Sequence, residues 1–170
     1  MKYFLSFILL TSYVYSQNCK IIIDDKTSRP MLIGLTTKDA FLDSNFSQWF
    51  NLEYENYKPD TLYLNYLKNS LRDKKIKIVM GTWCSDSRRE VPRFIKILDL
   101  VDFNDSNLTI INVDRQKKGL TDETEGLNIE FVPTFIIYNN DIELGRIIET
   151  PKDTLEKDLN KYYYQIKKTD

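Results

Sequence analysis

Two rhythms alternate along the chain: short β-branched runs, and longer stretches whose apolar positions recur three and four apart. Residues 20–24 (KIIID) and 31–35 (MLIGL) are β-rich runs separated by the turn-forming 25–30 (DKTSRP), which predicts two strands. From 37 to 57 the pattern is helical and aromatic, with Leu42, Phe46, Trp49 and Phe50 on one stripe. Such a stripe reads as a helix packed on its own domain; a partner-binding face is the other reading. Lys58-Pro59-Asp60 then breaks the chain. Asp60 is placed to cap a helix running to Arg72, with Tyr63, Leu64, Leu67 and Leu71 turned inward.

Residues 75–80 (KIKIVM) predict a central strand buried on both faces. After Ser87 a helix carries Val91, Phe94, Ile95, Leu98 and Val101, and Pro92 falls inside it, where it removes a backbone hydrogen bond. Residues 108–113 form another strand, with Asp114 at its end. The polar stretch 116–125 is expected to hold a short helix. Residues 131–138 lead into a strand, Asn139-Asn140-Asp141 turns the chain, and 142–148 return it. Thr150-Pro151 pairs an N-cap with proline at the first helical position. The last helix is therefore expected to start there, with Leu155, Leu159, Tyr162, Tyr163 and Ile166 as its buried face. Alternating strands and helices followed by a hairpin predict an α/β fold, a mixed central sheet with helices on both faces. There is no internal repeat and no low-complexity linker.

The first residues have a different character. Lys2 precedes an apolar stretch through Tyr15 that is short for a membrane span, and Val14 and Ser16 suit the −3 and −1 positions of a cleavage site before Gln17. Residues 1–16 read as a secretory signal peptide, 17–59 as an N-terminal extension of strands and aromatic helix, and 60–170 as the principal domain. The expected location is periplasmic or extracellular, with tethering through an uncleaved or lipidated N-terminus as the variant. Asn18 is a poor residue to precede a lipidated Cys19. Export to an oxidising compartment makes the state of both cysteines a live question.

Composition narrows the chemistry further. With 170 residues, 42% hydrophobic and 29% charged, the chain can bury a real core. The net charge of −1 gives no basic footprint for nucleic acid. Histidine is absent, which excludes a Ser-His-Asp triad, a Cys-His dyad and any imidazole metal site. No metal and no cofactor are expected, and a monomer is.

The candidate chemistry lies in Gly81-Thr82-Trp83-Cys84-Ser85-Asp86-Ser87. A strand that ends in a short loop and opens a helix puts Cys84 at the helix N-terminus. There unpaired N–H groups and the positive end of the dipole favour a thiolate, the nucleophilic form. Arg88 and Arg89 add positive charge within about one turn, and Asp86 opposes them. The plainer reading is a buried small hydrophobe.

Trp83-Cys84-x-x-Ser87, Pro92 eight residues after Cys84, and Val132-Pro133-Thr134 before a hairpin together resemble the thioredoxin superfamily, over about residues 60–166. The first strand of that fold would come from residues 20–35. The resemblance implies that Cys84 is the attacking cysteine, Trp83 the residue shielding it, and Pro133 the cis-proline whose loop, with Val132 and Thr134, holds extended substrate. Two positions depart from the pattern. Ser87 stands where a resolving cysteine would be, and Ile78 where the family has a buried acid six residues before the first cysteine. Ser87 cannot attack a mixed disulfide, but its hydroxyl could donate to the Cys84 thiolate.

The implied function is an exported monothiol thiol–disulfide oxidoreductase or isomerase. Cys84 would attack protein or small-thiol disulfides, and an external thiol or Cys19 would release it. Two other readings stand beside it. One is a client-binding module without turnover, using Trp83, Pro133 and the aromatics of 41–54. The other is a glutathione-using monothiol carrier with an iron–sulfur cluster, which shares only Cys-x-x-Ser and is opposed by Trp83.

Overall fold

A computed structural model describes residues 19–166. The proposed signal peptide, residues 1–16, lies outside them. Six strands form one sheet in the order β1-β2-β4-β3-β5-β6. They are β1 (Cys19–Ile23), β2 (Pro30–Thr36), β3 (Lys74–Met80), β4 (Leu108–Asn112), β5 (Thr134–Asn139) and β6 (Ile142–Ile148). Four α-helices are interspersed: α1 (Ser47–Asn56), α2 (Thr61–Ser70), α3 (Ser85–Leu100) and α4 (Leu155–Ile166). The β3–β4 pair is parallel and the remaining pairs are antiparallel, so the sheet is mixed. The 19–36 segment supplies two of the six strands, so the N-terminal stretch and the rest of the domain share one sheet.

Strand alternation divides the core in two. Ile76, Ile78 and Met80 of β3, Ile110 of β4, and Phe135 and Ile137 of β5 belong to the larger cluster. Val79, Ile111 and Ile136, the residues between them, belong to the smaller one on the opposite face. The buried apolar side chains of all four helices join the larger cluster: Phe50 of α1, Leu67 of α2, Val91, Phe94, Ile95, Ile97 and Leu98 of α3, and Leu155 and Leu159 of α4. The expectation of helices on both faces is thus corrected. Among the described residues the second face is covered by Leu127, Ile129 and Val132 of the irregular segment after β4, together with Leu35, Trp83 and Tyr138. The cause is the antiparallel run of β2 against β4: the chain leaves β2 near the start of β3, and no helix has to cross the other face.

Three further local expectations change. The 37–57 stretch is two pieces, a 3-10 turn at Lys38–Leu42 and α1. Asp43 folds the chain between them, its carboxylate accepting the Asn45 N–H (2.8 Å) and its carbonyl the Phe46 N–H (2.9 Å). Phe41, Phe46 and Phe50 are therefore buried, with Phe41 stacked on Phe50 at 5.0 Å, while Leu42 faces solvent. Residues 116–125 form turns, organised by the Asp114 carboxylate accepting the Gln116 and Lys118 N–H groups (2.8 and 2.9 Å). The last helix begins at Leu155 and not at Pro151. Thr154 accepts from Lys157 N–H (3.3 Å), and the Asp158 carboxylate reaches back to the Lys152 N–H (2.6 Å). Asp60 does cap α2, accepting the Leu62 N–H at 3.1 Å.

Candidate functional site around Cys84

β3 is the inner strand between β4 and β5, and its last residue Met80 delivers the chain to the loop Gly81–Trp83. A turn closed by Cys84 N–H to the Gly81 carbonyl (2.9 Å) reverses it, and Arg88 N–H to the Cys84 carbonyl (3.1 Å) begins α3. Cys84 is the N-cap of that helix, with extended backbone (φ −88, ψ 130). Thr82 anchors the loop from below: fully buried, its hydroxyl accepts the Leu32 N–H of β2 at 3.0 Å. Trp83 folds back over Gly81, and its indole N–H donates to the Val113 carbonyl (2.9 Å). A Cβ at position 81 would lie 2.5 Å from the indole ring, so the close approach requires glycine.

The Cys84 sulfur is half-buried and donates to the Val132 carbonyl at 3.2 Å. Val132 is followed by a cis peptide bond to Pro133, and Thr134 closes the bend by donating to the Phe131 carbonyl (2.7 Å). Trp83, Cys84, Val132, Pro133 and Thr134, more than forty residues apart in sequence, are thus brought to one place at the ends of β3 and β5. In this state the sulfur is a donor. Ionised, it would lose that bond and gain the N-terminal field of a 16-residue helix.

Ser87 belongs to the same turn but serves another group. It is fully buried and its Oγ accepts the Gly81 N–H (3.3 Å), which leaves its own O–H as a donor. Ile78, which stands in place of the family's buried acid, is fully buried among apolar neighbours. Cys19 opens the edge strand β1. Its register runs through Gly34 and Asn112 to Met80, three strand spacings or about 14 Å away. Cys84 lies beyond Met80 and leans to the other side, toward the loop before β5. A disulfide needs Cα atoms within about 7 Å, so this arrangement does not let Cys19 resolve Cys84. Burial also pushes the Cys19 thiol up from its ordinary value.

The charges differ from expectation as well. Arg89 is taken up by Asp86 (2.7 Å) and the buried Glu90 (2.6 Å). Arg88 donates to the Thr82 carbonyl (2.5 Å) and lies over the Trp49 ring. Its guanidinium is held below its ordinary value by burial and by Arg29, with the charge of Cys84 acting the other way. The cation that sequence reasoning missed is Arg115. It lies 4.7 Å over the Trp83 ring and is clasped bidentately by Asp24, with both N–O distances 2.7 Å. The two residues are 91 positions apart, and no spacing signal links them.

Over 102 residues the chain is 31% identical to thioredoxin H2 of Arabidopsis thaliana, covering 59% of this chain and 70% of that protein. The chain belongs to the thioredoxin-like superfamily. Among solved structures, a protein of unknown function from Pseudomonas aeruginosa aligns with a TM-score of 0.48 and 14% identity, over 73% of this chain and 82% of that one. The oxidised mitochondrial thioredoxin 3 of Saccharomyces cerevisiae aligns with a TM-score of 0.39 and 20% identity, over 64% of this chain and 98% of that one. No family model matches the sequence. In this thioredoxin-like chain the aromatics of 41–54 are largely core, which withdraws Phe41, Phe46 and Phe50 from any binding face.

Proposed function

We propose that this thioredoxin-like protein is an exported monothiol thiol–disulfide oxidoreductase or isomerase that acts through Cys84 on protein or small-thiol disulfides. One observation carries the reading. The N-cap residue of α3 carries a half-buried thiol 3.2 Å from the carbonyl before Pro133, with a buried serine three residues on and the other described cysteine three strands away. A single nucleophile without a resolving partner fits exchange in two external steps. The Cys84 thiolate attacks one sulfur of a substrate disulfide, forming a mixed disulfide and expelling the other sulfur as a thiolate. A second thiolate then attacks the substrate sulfur and returns Cys84 as its thiolate. When that second thiolate is the substrate's own, the result is isomerisation with no net redox change; when it is a small external thiol, the substrate leaves as its mixed disulfide with that thiol, and a second equivalent of the thiol then frees the substrate as a dithiol and forms the small-thiol disulfide. Trp83 and the Val132–Thr134 bend flank the sulfur and would hold extended substrate on either side. The protein would act as a monomer outside the cytoplasm, with residues 1–16 as its export signal.

The experiment is a comparison of full-length mature protein with its Cys19→Ser variant in glutathione-dependent reduction of a peptide–glutathione mixed disulfide. The expected result is equal activity within about twofold. Loss of tenfold or more would mean that Cys19 takes part and that the monothiol scheme is wrong.

A further inference from the structure

We propose that Asp24 and Arg115 form a charge-setting pair for Cys84: Arg115 presents a cation to the sulfur from behind Trp83, and Asp24 holds that cation in place while offsetting part of it. Both are positioning residues, and the assignment rests on Cys84 being the reacting thiol.

The pair is built by two turns from distant strands. β1 contributes little to the core, with Ile21, Ile22 and Ile23 between 39 and 58% exposed, yet the next residue, Asp24, is 2% exposed. The turn that follows is wound around this carboxylate. Asp24 N–H donates to the Arg29 carbonyl (2.9 Å), the Thr27 hydroxyl donates to the Asp24 carboxylate, and the Lys26 N–H approaches it at 3.3 Å. On the other side, the Asp114 turn after β4 fixes Arg115, with Lys117 N–H donating to the Asp114 carbonyl (3.0 Å). A carboxylate is buried at little cost only when it is paired and hydrogen-bonded, and here its partner is the guanidinium over the residue preceding Cys84. The link to the sulfur is electrostatic. Asp24 raises Arg115 most, and the charge of Cys84 raises it further, while Arg115 and Thr27 hold Asp24 well below the carboxylate range.

Of the other groups around the sulfur, Arg88 of α3 is a second cation: it donates to the Thr82 carbonyl, lies over Trp49 and keeps its charge, which is common to the parent and to every variant below. Asp86, Arg89 and Glu90 of the same helix pair among themselves. From the loop before β5 comes the Val132 carbonyl, with exposed Glu130 two residues earlier. Removing Asp24's charge and removing Arg115's charge should therefore act on Cys84 in opposite directions, which a purely mechanical clamp would not do.

The test is the pH dependence of Cys84 alkylation by iodoacetamide in the Cys19→Ser background. For Asp24→Asn the midpoint of the rate profile is expected to fall by about half a pH unit, and for Arg115→Met to rise by about as much. Arg115→Lys, which keeps the charge, should stay closer to the parent than Arg115→Met. Midpoints that move the same way, or not at all, overturn the proposal. If Asp24→Asn fails to fold, the Met and Lys variants still decide: a Met variant indistinguishable from the Lys variant overturns the pair's role. A parent thiol that resists alkylation at every pH removes the redox reading and this pair with it, whereas a reactive parent with unmoved variants removes only the pair.

Discussion

Cys84→Ser is expected to abolish disulfide exchange, lowering the rate by ~10³-fold or more, to the background of the reducing thiol alone. The reason is chemical and not structural. A serine hydroxyl is close to a thiol in size and can donate to the Val132 carbonyl in its place, so the α3 cap and the bend before β5 keep their contacts. Stability should change by less than about 1 kcal/mol. What is lost is the one atom at this position that can be a sulfur nucleophile near neutral pH. Ser87 cannot substitute, being buried and engaged with Gly81, and Cys19 lies three strands away. Activity and urea denaturation measured on the same preparation separate the two effects. Retained exchange in a folded Cys84→Ser protein would show that the chemistry resides elsewhere.

Phe94→Ala should give the largest loss of stability. Phe94 is fully buried in α3 and stacks on Phe135 of β5, with ring centroids 4.3 Å apart and planes inclined by 20°. It is the bolt between the helix that carries Cys84 and the strand that follows Pro133. Truncating a buried phenylalanine removes apolar burial and leaves a cavity, at about 3–5 kcal/mol. Against a typical total of roughly 5–15 kcal/mol, this leaves the domain marginal. The urea midpoint should fall sharply with little change in slope. Leu100→Ala, at the exposed end of the same helix, should stay within about 0.5 kcal/mol of the parent. Equal losses for the two would mean that α3 does not pack on the sheet through this face.

Much of this architecture is legible in the residues, and the failures have identifiable causes. Strand positions follow from β-branched runs, and the placing of Cys84 at a helix start follows from KIKIVM running into GTWCSDS. The Asp60 cap and the 139–141 turn follow from local chemistry alone. Strand direction does not: nothing in MLIGL says that β2 runs antiparallel to β4, and that choice puts the helices on one face of the sheet. The last helix starts at Leu155 and not at Thr150-Pro151, because Thr154 accepts from Lys157 and Asp158 bonds back to Lys152. The stripe from Leu42 to Phe50 spans a turn in which Asp43 competes for the backbone, so its spacing is regular while its chain is not. Around the sulfur, the residues contiguous with Cys84 could be read directly. The Asp24–Arg115 pair could not, because only the folded sheet brings the ends of β1 and β4 behind Trp83.

The most direct measurement is the mass of the native protein after reaction with excess glutathione disulfide and before any reductant is added. A lone attacking thiol predicts a single glutathione adduct, mapped to Cys84, that persists until a small thiol is supplied and then disappears completely. A product two hydrogens lighter than the reduced protein, containing a Cys19–Cys84 bridge, or an adduct absent from Cys84, would contradict it.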